Sequence, residues 1–389
     1  MDLENFNGKT GKLVQASKAA YSTFEPNPLP LKIEYTEEII KLLSEAILSL
    51  GNLSNAGRRM SNPHLLIMPY LRKEAVFSSK IEGTRTSLSE VFLHEKENKK
   101  LTTSQGQDLV EVLNYIKAVQ FGLKEIKENP LSDEIIKGMH TVLMKGVRGE
   151  EKDPGRYKSH QNWIGSSEEI MEAKFVPASP GTTPDLMKNL IDYSNNYDKS
   201  TELIKAAILH YQFESIHPFR DGNGRIGRLL VILHLCRKNI LSQPLLYLSA
   251  YFEKNSEKYN ELLYNVSTKG EIENWLKFFL KGVKLQSDLA LGNVTRLENY
   301  QEHCRKLLLE KTNSTNAIKV LDHLFANPYI KISEVQKILG THYPTAENNV
   351  RILLEQGIIK EAKKIQPARG GRLFYAPKII EILEVNASL

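Results

Sequence analysis

The segment from His217 to Arg228 concentrates the side chains of this 389-residue chain that could carry out phosphate chemistry. His217 stands at its start, and histidine is the side chain best able to take a proton from a hydroxyl group near neutral pH. Asp221 follows in the same loop, and a carboxylate beside phosphate groups is a suitable ligand for Mg²⁺. These two residues predict a general base and a metal-binding carboxylate in one short loop.

Small and polar residues, Gly222, Asn223 and Gly224, come next in this segment. Glycines let backbone N–H groups converge without a Cβ atom in the way, and the N-terminus of the helix that follows adds positive potential. Arg225 and Arg228 stand at positions i and i+3 of that helix, where both guanidinium groups could bind phosphate oxygens. The segment as a whole indicates transfer of a phosphate-containing group.

Two other interpretations fit part of this segment. The spacing Gly222-x-Gly224-x-x-Gly227 matches a dinucleotide-binding fingerprint, but the element predicted before it is a helix rather than the required strand. A capped corner between two helices would explain Asp221 and Gly224, but it would leave His217 and the two arginines without a role. The sequence has no GxxxxGK[ST] motif, which excludes a P-loop enzyme.

Residues 217–228 read HPFRDGNGRIGR and resemble the signature HxFx[DE]GNGRxxR of Fic-domain proteins, with every specified position filled. The resemblance implies protein adenylylation, in which AMP moves from ATP to a Ser, Thr or Tyr hydroxyl of a target protein, the chain itself included. It assigns His217 as the base, Asp221 as the Mg²⁺ ligand, and the remaining site residues to ATP: Gly222, Asn223, Gly224, Arg225 and Arg228. Doc-type relatives, which phosphorylate, carry lysine at the position of Gly224, so this glycine favours nucleotidyl transfer.

An upstream segment, Ser78-Ser79-Lys80-Ile81-Glu82-Gly83, resembles the inhibitory motif [ST]xxxE[GN] of the same family. Helical spacing places Ser78 and Glu82 on one face. A carboxylate in the last turn of a helix opposes the helix dipole, so Glu82 is expected to pair with a cation, and Arg228 is the expected partner. The resemblance implies that Ser78, Glu82 and Gly83 hold the enzyme in an inhibited state; a solvent-exposed glutamate before a glycine cap is the alternative.

Two further segments resemble features of the family. Extended runs at 161–165 and 174–177 are similar to a hairpin flap, in which Trp163, Ile164 and Gly165 would pair with the backbone of the target. Any small hairpin could have this sequence, which is the alternative. Tyr251 is assigned to the adenine pocket, with packing in the core as the other interpretation.

The elements that must position these residues are mostly helices. Apolar residues recur with a period of about 3.6 in helices predicted at 36–50, 69–81, 105–127, 132–146, 184–197, 201–215, 225–239 and 270–310. Strand signals are confined to 160–178 before residue 310, and residues 1–35 predict an extended arm. The predicted fold is mainly α, with a Fic-type helical core, a small β-hairpin flap and a C-terminal winged helix-turn-helix.

The predicted domains are an N-terminal helical region at 1–104 with the inhibitory helix at about 69–83, a catalytic core at 105–285, a linker helix at 286–311 and a winged-helix module at 312–389. In the last, three helices precede two short strands around Gly370-Gly371, and the module is expected to fold separately. Its basic residues leave DNA binding and protein contact equally open: Arg351, Lys360, Lys363, Lys364, Arg369 and Arg372.

Composition sets the remaining limits. The formal net charge of +6 is compatible with phosphate or nucleic-acid contact without requiring either. Two cysteines, no signal-peptide pattern and no long apolar run predict a cytoplasmic protein without a membrane span. The function predicted first is a protein adenylyltransferase inhibited by Glu82. The alternatives are a bifunctional or AMP-removing enzyme, or a DNA-binding regulator whose Fic core senses nucleotide; homodimer formation is left open.

Overall fold

The computed structural model describes residues 6–16, 21–59, 63–97, 104–165, 167–196, 200–312, 314–362 and 372–384. Most of these residues are helical. The helices are α1 (Glu37–Arg59), α2 (Pro63–Ile81), α3 (Leu88–Glu97), α4 (Ser104–Glu125), α5 (Asp133–Leu143), α6 (Thr183–Asn195), α7 (Glu202–Ile216), α8 (Asn223–Arg237), α9 (Ser249–Lys254), α10 (Ser256–Lys269), α11 (Ile272–Thr312), α12 (Thr315–Ala326), α13 (Ile332–Leu339), α14 (Tyr343–Glu355) and α15 (Pro377–Glu384). The strands are β1 (Gly11–Gln15), β2 (Ser22–Pro26), β3 (Tyr329–Lys331), β4 (Lys360–Glu361) and β5 (Leu373–Tyr375).

Helices α7 and α8 lie at the centre of the molecule. Nearly every side chain of both helices is buried, which is the pattern of a helix that contacts protein on all sides rather than one face. The loop that joins them therefore begins and ends on buried helices. Within the described ranges, no helix is both long and apolar enough to cross a bilayer.

Helix α2 begins earlier than predicted, and helix α11 crosses a predicted domain boundary. Helix α2, which carries the predicted inhibitory residues, begins at Pro63 and not at Pro69, which lies inside it. Proline removes one helical hydrogen bond, but burial of the neighbouring Tyr70 and Leu71 favours the helix at this turn. Helix α11 runs without a break through residue 285, so the predicted boundary between core and linker falls inside a single helix.

The N-terminal arm is folded into a β-hairpin. Strands β1 and β2 pair antiparallel, with Leu13 opposite Phe24. The Phe24 N–H donates to the Val176 carbonyl at 2.8 Å, and the Phe24 ring lies 5.6 Å from that of Phe175. The arm predicted as extended chain is thus attached to the segment predicted as the flap.

The C-terminal residues form helices α12 to α15 and a three-stranded antiparallel sheet in the order β3-β5-β4. The predicted turn at Gly370-Gly371 lies outside the described residues, as do Lys363, Lys364 and Arg369, so the winged-helix assignment stays a prediction. Arg351 and Arg372 each have acidic partners, Glu355 at 3.8 Å for the first and Glu361 at 2.9 Å for the second.

This C-terminal unit packs against helix α2. The Arg72 guanidinium of α2 donates to the Ala326 carbonyl at 2.9 Å, and the buried Lys73 ammonium donates to the Leu383 carbonyl at 2.9 Å. The apolar core continues from α1 into α12 and α15. Through these contacts the described part of 312–389 shares its core with the rest of the chain. Separate folding of 312–389 stays a prediction.

Candidate active site

The loop between α7 and α8 is fixed by two residues in the left-handed region and by one asparagine. His217 ends α7 with φ 52° and ψ 59°, and Gly222 precedes α8 with φ 75°. The Asn223 side chain accepts from the Phe219 N–H and donates to the Phe219 carbonyl, both at 2.8 Å. Asn223, which the sequence assigned to ATP, therefore closes the loop on itself.

The tautomer of His217 follows from its neighbour in α7. Nδ1 of His217 lies 3.3 Å from the Glu214 carbonyl oxygen, which can only accept, so Nδ1 carries the proton. The lone pair is then on Nε2, the atom a general base needs. Burial, followed by the nearby Lys158 ammonium, lowers the pKa of His217 to about 4. The imidazole is neutral at physiological pH and able to accept a proton.

Asp221 is surrounded by donors and cations. Its carboxylate lies 2.8 Å from the Lys152 ammonium and 3.5 Å from the Arg225 guanidinium, and it accepts from the Gly222 N–H at 2.6 Å. Burial opposes ionisation, but these groups, Lys152 first, lower the pKa of Asp221 below its usual value. In the described part of the chain, no cluster of three or more His, Cys, Asp or Glu side chains suits a metal ion.

The structure gives the two arginines different partners. Arg225 is buried and forms a 3.1 Å ion pair with Glu111 of α4. Arg228 is also buried, and its partners come from α2. The sequence analysis did not identify Glu111, and phosphate binding by the two arginines stays a prediction.

Arg228 is bound by the predicted inhibitory residues of α2. Its Nε donates to Ser78 Oγ at 2.8 Å, and its Nη2 donates to the Ser78 carbonyl at 2.9 Å and to Glu82 Oε1 at 2.7 Å. Burial disfavours the charge, yet the acidic neighbours, Glu82 first, raise the pKa of Arg228 above its usual value. The ion pair that the sequence predicts between Glu82 and Arg228 is therefore present.

Two glycines make this contact sterically possible. A Cβ atom at Gly224 would collide with Glu82 Oε1 and lie 2.9 Å from Arg228 Nη1, so any larger residue there would displace the pair. Gly83 follows the end of α2 with φ 97°, a conformation that favours glycine. The structure thus explains why glycine is suitable at both positions, in addition to the roles that the resemblance implies.

A cavity of about 510 Å³ opens beside this pair. His217, Glu82, Gly224 and Arg228 all line it, so the predicted base and the ion pair share one space. The other lining residues are Ile81, Trp163, Ile164, Gly165, Lys174, Phe175, Tyr211, Glu214, Ser215, Tyr259, Asn260, Leu263, Tyr264 and Ser267. A volume of this size is suitable for a small-molecule ligand such as a nucleotide.

Several predicted site residues do not line this cavity. Asp221, Gly222, Asn223 and Arg225 lie outside its wall. Tyr251 also lies outside it, because its ring packs 4.8 Å from that of Phe278; the adenine-pocket assignment is not supported by this position. Tyr259 and Tyr264 are the tyrosines that, with Tyr211, contact the space.

The predicted flap is less regular than a hairpin. Ile164 and Phe175 form one antiparallel bridge, with N–H to carbonyl distances of 2.8 and 3.1 Å, and no regular strand forms among the described residues at 161–165 and 174–177. Trp163, Ile164 and Gly165 all line the cavity, and Ile164 is 38% exposed. These residues therefore lie where a target could reach His217.

The sequence analysis missed several residues that hold the loop. His140 of α5 stacks on Phe219 with centroids 3.8 Å apart; its Nδ1 accepts from the Gly155 N–H at 2.8 Å, which leaves Nε2 to donate to the Asp221 carbonyl at 2.9 Å. Lys158 and Asn162 bind the carbonyls around His217. No local pattern marks these residues, because each acts on a segment 50 or more positions away.

Comparison with known proteins gives matches along the same region. The Fic/DOC family N-terminal domain matches residues 40–124, and the Fic/DOC family domain matches residues 130–235. A probable protein adenylyltransferase of Aquifex aeolicus is 26% identical over 76% of this chain and 84% of its own length. Protein adenylyltransferase fic-1 of Caenorhabditis elegans is 27% identical over 52% of this chain, and this chain spans only 37% of that relative.

Solved structures share the fold. The crystal structure of a Fic family protein from Desulfovibrio desulfuricans aligns with a TM-score of 0.57 and 20% identity over 88% of this chain and 97% of that chain. Fic-1 from C. elegans aligns with a TM-score of 0.50 and 21% identity over 67% of this chain and 73% of that chain. At these identities the likeness concerns the fold alone.

Proposed function

Residues 40–124 and 130–235 of this chain belong to the Fic/DOC family, and on that basis we propose that the protein is a protein adenylyltransferase. In this proposal, AMP is transferred from ATP to a hydroxyl side chain of a target protein. The observation that supports it most is the position of Arg228, bound at 2.7 Å by Glu82 in the cavity that His217 also lines. A base and a blocked phosphate-binding cation in one cavity are the parts that an inhibited transferase needs.

The proposed reaction uses the tautomer of His217. Nε2 takes the proton of a Ser, Thr or Tyr hydroxyl while its oxygen forms a bond to the α-phosphorus of ATP. The bond from the α-phosphorus to the bridging oxygen breaks, and diphosphate leaves with that electron pair. The backbone amides of Asn223 and Gly224, at the N-terminus of α8, stabilise the phosphate charge. The products are an AMP-modified protein and diphosphate.

Asp221 is the residue proposed to hold Mg²⁺. Its carboxylate already faces two cationic groups, Lys152 and Arg225, so the position suits positive charge, and a single carboxylate with substrate phosphates is a common magnesium ligand set. When bound, Mg²⁺ would supply neutralisation of the phosphate charge. Lys152 would then have to release the carboxylate.

Glu82 is proposed to inhibit this reaction. While its carboxylate pairs with Arg228, that guanidinium is not free to bind the γ-phosphate, and ATP cannot place its α-phosphorus for attack. A second role for Glu82 is suggested by its position in the wall of the same cavity as His217. There it could orient a water for removal of AMP from a modified protein.

The experiment is incubation of the full chain and its Glu82→Gly variant with cell lysate and radiolabelled ATP. Label at the α-phosphate should enter protein, and label at the γ-phosphate should not. Transfer of γ-label alone would replace adenylylation by phosphorylation. No transfer from either position, together with a sequence-specific shift of DNA, would favour the nucleotide-sensing regulator. The acidic partners of Arg351 and Arg372 weigh against that alternative.

A further inference from the structure

His217 has a left-handed backbone conformation. Its φ is 52°, a value that few residues other than glycine adopt, although asparagine, aspartate and histidine do so more often than the rest. Such conformations persist only where surrounding contacts impose them. The contacts that impose this one identify residues on which the base depends.

Two side chains outside the loop bind its carbonyl groups. The Asn162 amide donates to the His217 carbonyl at 3.1 Å and to the Phe219 carbonyl at 2.8 Å. The Lys158 ammonium donates to the Ile216 carbonyl at 3.0 Å, and the Lys158 N–H donates to the Pro218 carbonyl at 2.8 Å. Four consecutive carbonyls, from 216 to 219, are thus bound by this pair of residues.

Lys158 and Asn162 also fix each other. The Lys158 ammonium donates to Asn162 Oδ1 at 2.9 Å, which orients the amide so that its N–H groups face the loop. Lys158 is 3% exposed. Among the described residues, the hydrogen bonds of the Lys158 side chain go to the neutral oxygens of Asn162 and Ile216. The Glu25 carboxylate raises the pKa of Lys158 through its charge and not through a hydrogen bond. Its charge therefore acts on its surroundings with little compensation.

We propose that Lys158 and Asn162 are positioning residues for the base of this site: together they impose the left-handed turn at His217, and the Lys158 ammonium, bound to the adjacent Ile216 carbonyl, adds to the burial that disfavours protonation of the imidazole. The inference rests on the proposed function only in taking His217 as the base. The effects of Lys158 and Asn162 on the conformation and the charge of His217 do not depend on that function. Asn162 supplies the geometry, and Lys158 supplies both geometry and charge. Neither residue touches the reacting atoms.

The charges that face His217 act in two directions. Burial lowers its pKa most, and Lys158 lowers it further. The hydrogen bond to the Glu214 carbonyl raises it, as do the Glu82 and Asp221 carboxylates. The Glu214 carboxyl group lies 3.9 Å from Nδ1, and burial raises its pKa to about 8. Burial also lowers the pKa of Lys158 to about 7, against the opposing effect of Glu25. Lys158 is therefore charged below about pH 7. An imidazole with its ordinary pKa would begin to take up a proton in the same pH range.

The test is an NMR titration of histidine in the full chain, with the His217 resonance assigned by its loss in His217→Ala. Lys158→Gln keeps a donor for the Ile216 carbonyl and removes the charge, so the pKa of His217 should rise by about one unit. Lys158→Arg keeps the charge and should leave that pKa unchanged, and Lys188→Met, at an exposed surface pair, is the control. An unchanged His217 pKa in Lys158→Gln would overturn the electrostatic role.

Asn162→Ala tests the conformational role by kinetics, in the Glu82→Gly background. We expect kcat to fall by about tenfold or more, as for other losses of orientation of a base, while the calorimetric Kd for ATP changes by less than about twofold. An equal loss of ATP affinity would mean that Asn162 only stabilises the fold. Absence of labelling in Glu82→Gly itself would count against the proposed function, and the NMR titration would still decide the role of Lys158.

Discussion

Replacing Glu82 by glycine separates the inhibitory contact from the rest of the site. Glu82 Oε1 is 2.7 Å from Arg228 Nη2, whereas Ser78 supplies the other two hydrogen bonds to this guanidinium. The variant therefore removes the competing anion and leaves Arg228 otherwise bound. Glu82 lies just past the last residue of α2, where glycine costs little stability, so the melting temperature should change little.

The size of the effect follows from that contact. A hydrogen bond to a charged group contributes about 1.5–3 kcal/mol. The lower end applies because the Glu82 side chain is 37% exposed and solvent screens it. Since about 1.4 kcal/mol corresponds to a tenfold change in an equilibrium, release of Arg228 should raise the initial labelling rate by about tenfold.

The assay compares initial rates of incorporation of α-phosphate label by the wild-type chain, Glu82→Gly and Glu82→Gln. The glutamine variant keeps the size and an acceptor oxygen but loses the charge, so its rate should lie between the other two. Arg228→Ala should not be activated, because it loses the proposed phosphate contact together with the inhibitory one. Equal rates for wild type and Glu82→Gly would refute the inhibitory role, and a lower rate in Glu82→Gly would point to AMP removal.

Three other perturbations test separate parts of the site. Asp221→Ala should abolish the Mg²⁺ dependence of ATP binding in calorimetry; an unchanged dependence would place the metal ligand elsewhere. His140→Asn keeps an acceptor for Gly155 but loses the donor to the Asp221 carbonyl, so ATP should bind up to about tenfold more weakly, whereas His140→Gln keeps that donor and should bind nearly as wild type. Equal affinities would show that this hydrogen bond does not position the loop. A chain ending at Thr312 should melt at a lower temperature and label faster, because α2 loses its bonds to Ala326 and Leu383; unchanged melting would restore the separable module that the sequence predicts.

The features predicted well from sequence are those with local causes. The loop follows from the glycines and from the two apolar helices on either side of it. The ion pair of Glu82 with Arg228 follows from an uncompensated carboxylate at a helix end and from the resemblance of both segments to one family. Helices α12 to α14 follow from their apolar period and are the three helices predicted ahead of the C-terminal strands.

The features that the sequence could not give depend on contacts between distant segments. Arg225 is paired with Glu111, which is 114 positions distant in the chain. The ring of Tyr251 packs against Phe278, which fits the core-packing interpretation that the sequence left open. The effect of Lys158 on the pKa of His217 depends on the burial of the lysine beside the loop. No sequence pattern marks a lysine as buried. The core that joins residues 314–362 and 372–384 to α2 also depends on contacts between distant segments.

The proposal that this chain transfers AMP, with His217 as the base, is tested most directly by intact-mass spectrometry after incubation with ATP and Mg²⁺. Glu82→Gly protein, alone or with a target from lysate, should gain the mass of one or more AMP groups. The double variant Glu82→Gly, His217→Ala should gain none, although it still binds ATP in calorimetry, because the base acts on the target hydroxyl and not on the nucleotide. An AMP adduct of equal yield in the double variant, or the mass of a phosphate group in place of AMP, would contradict the account.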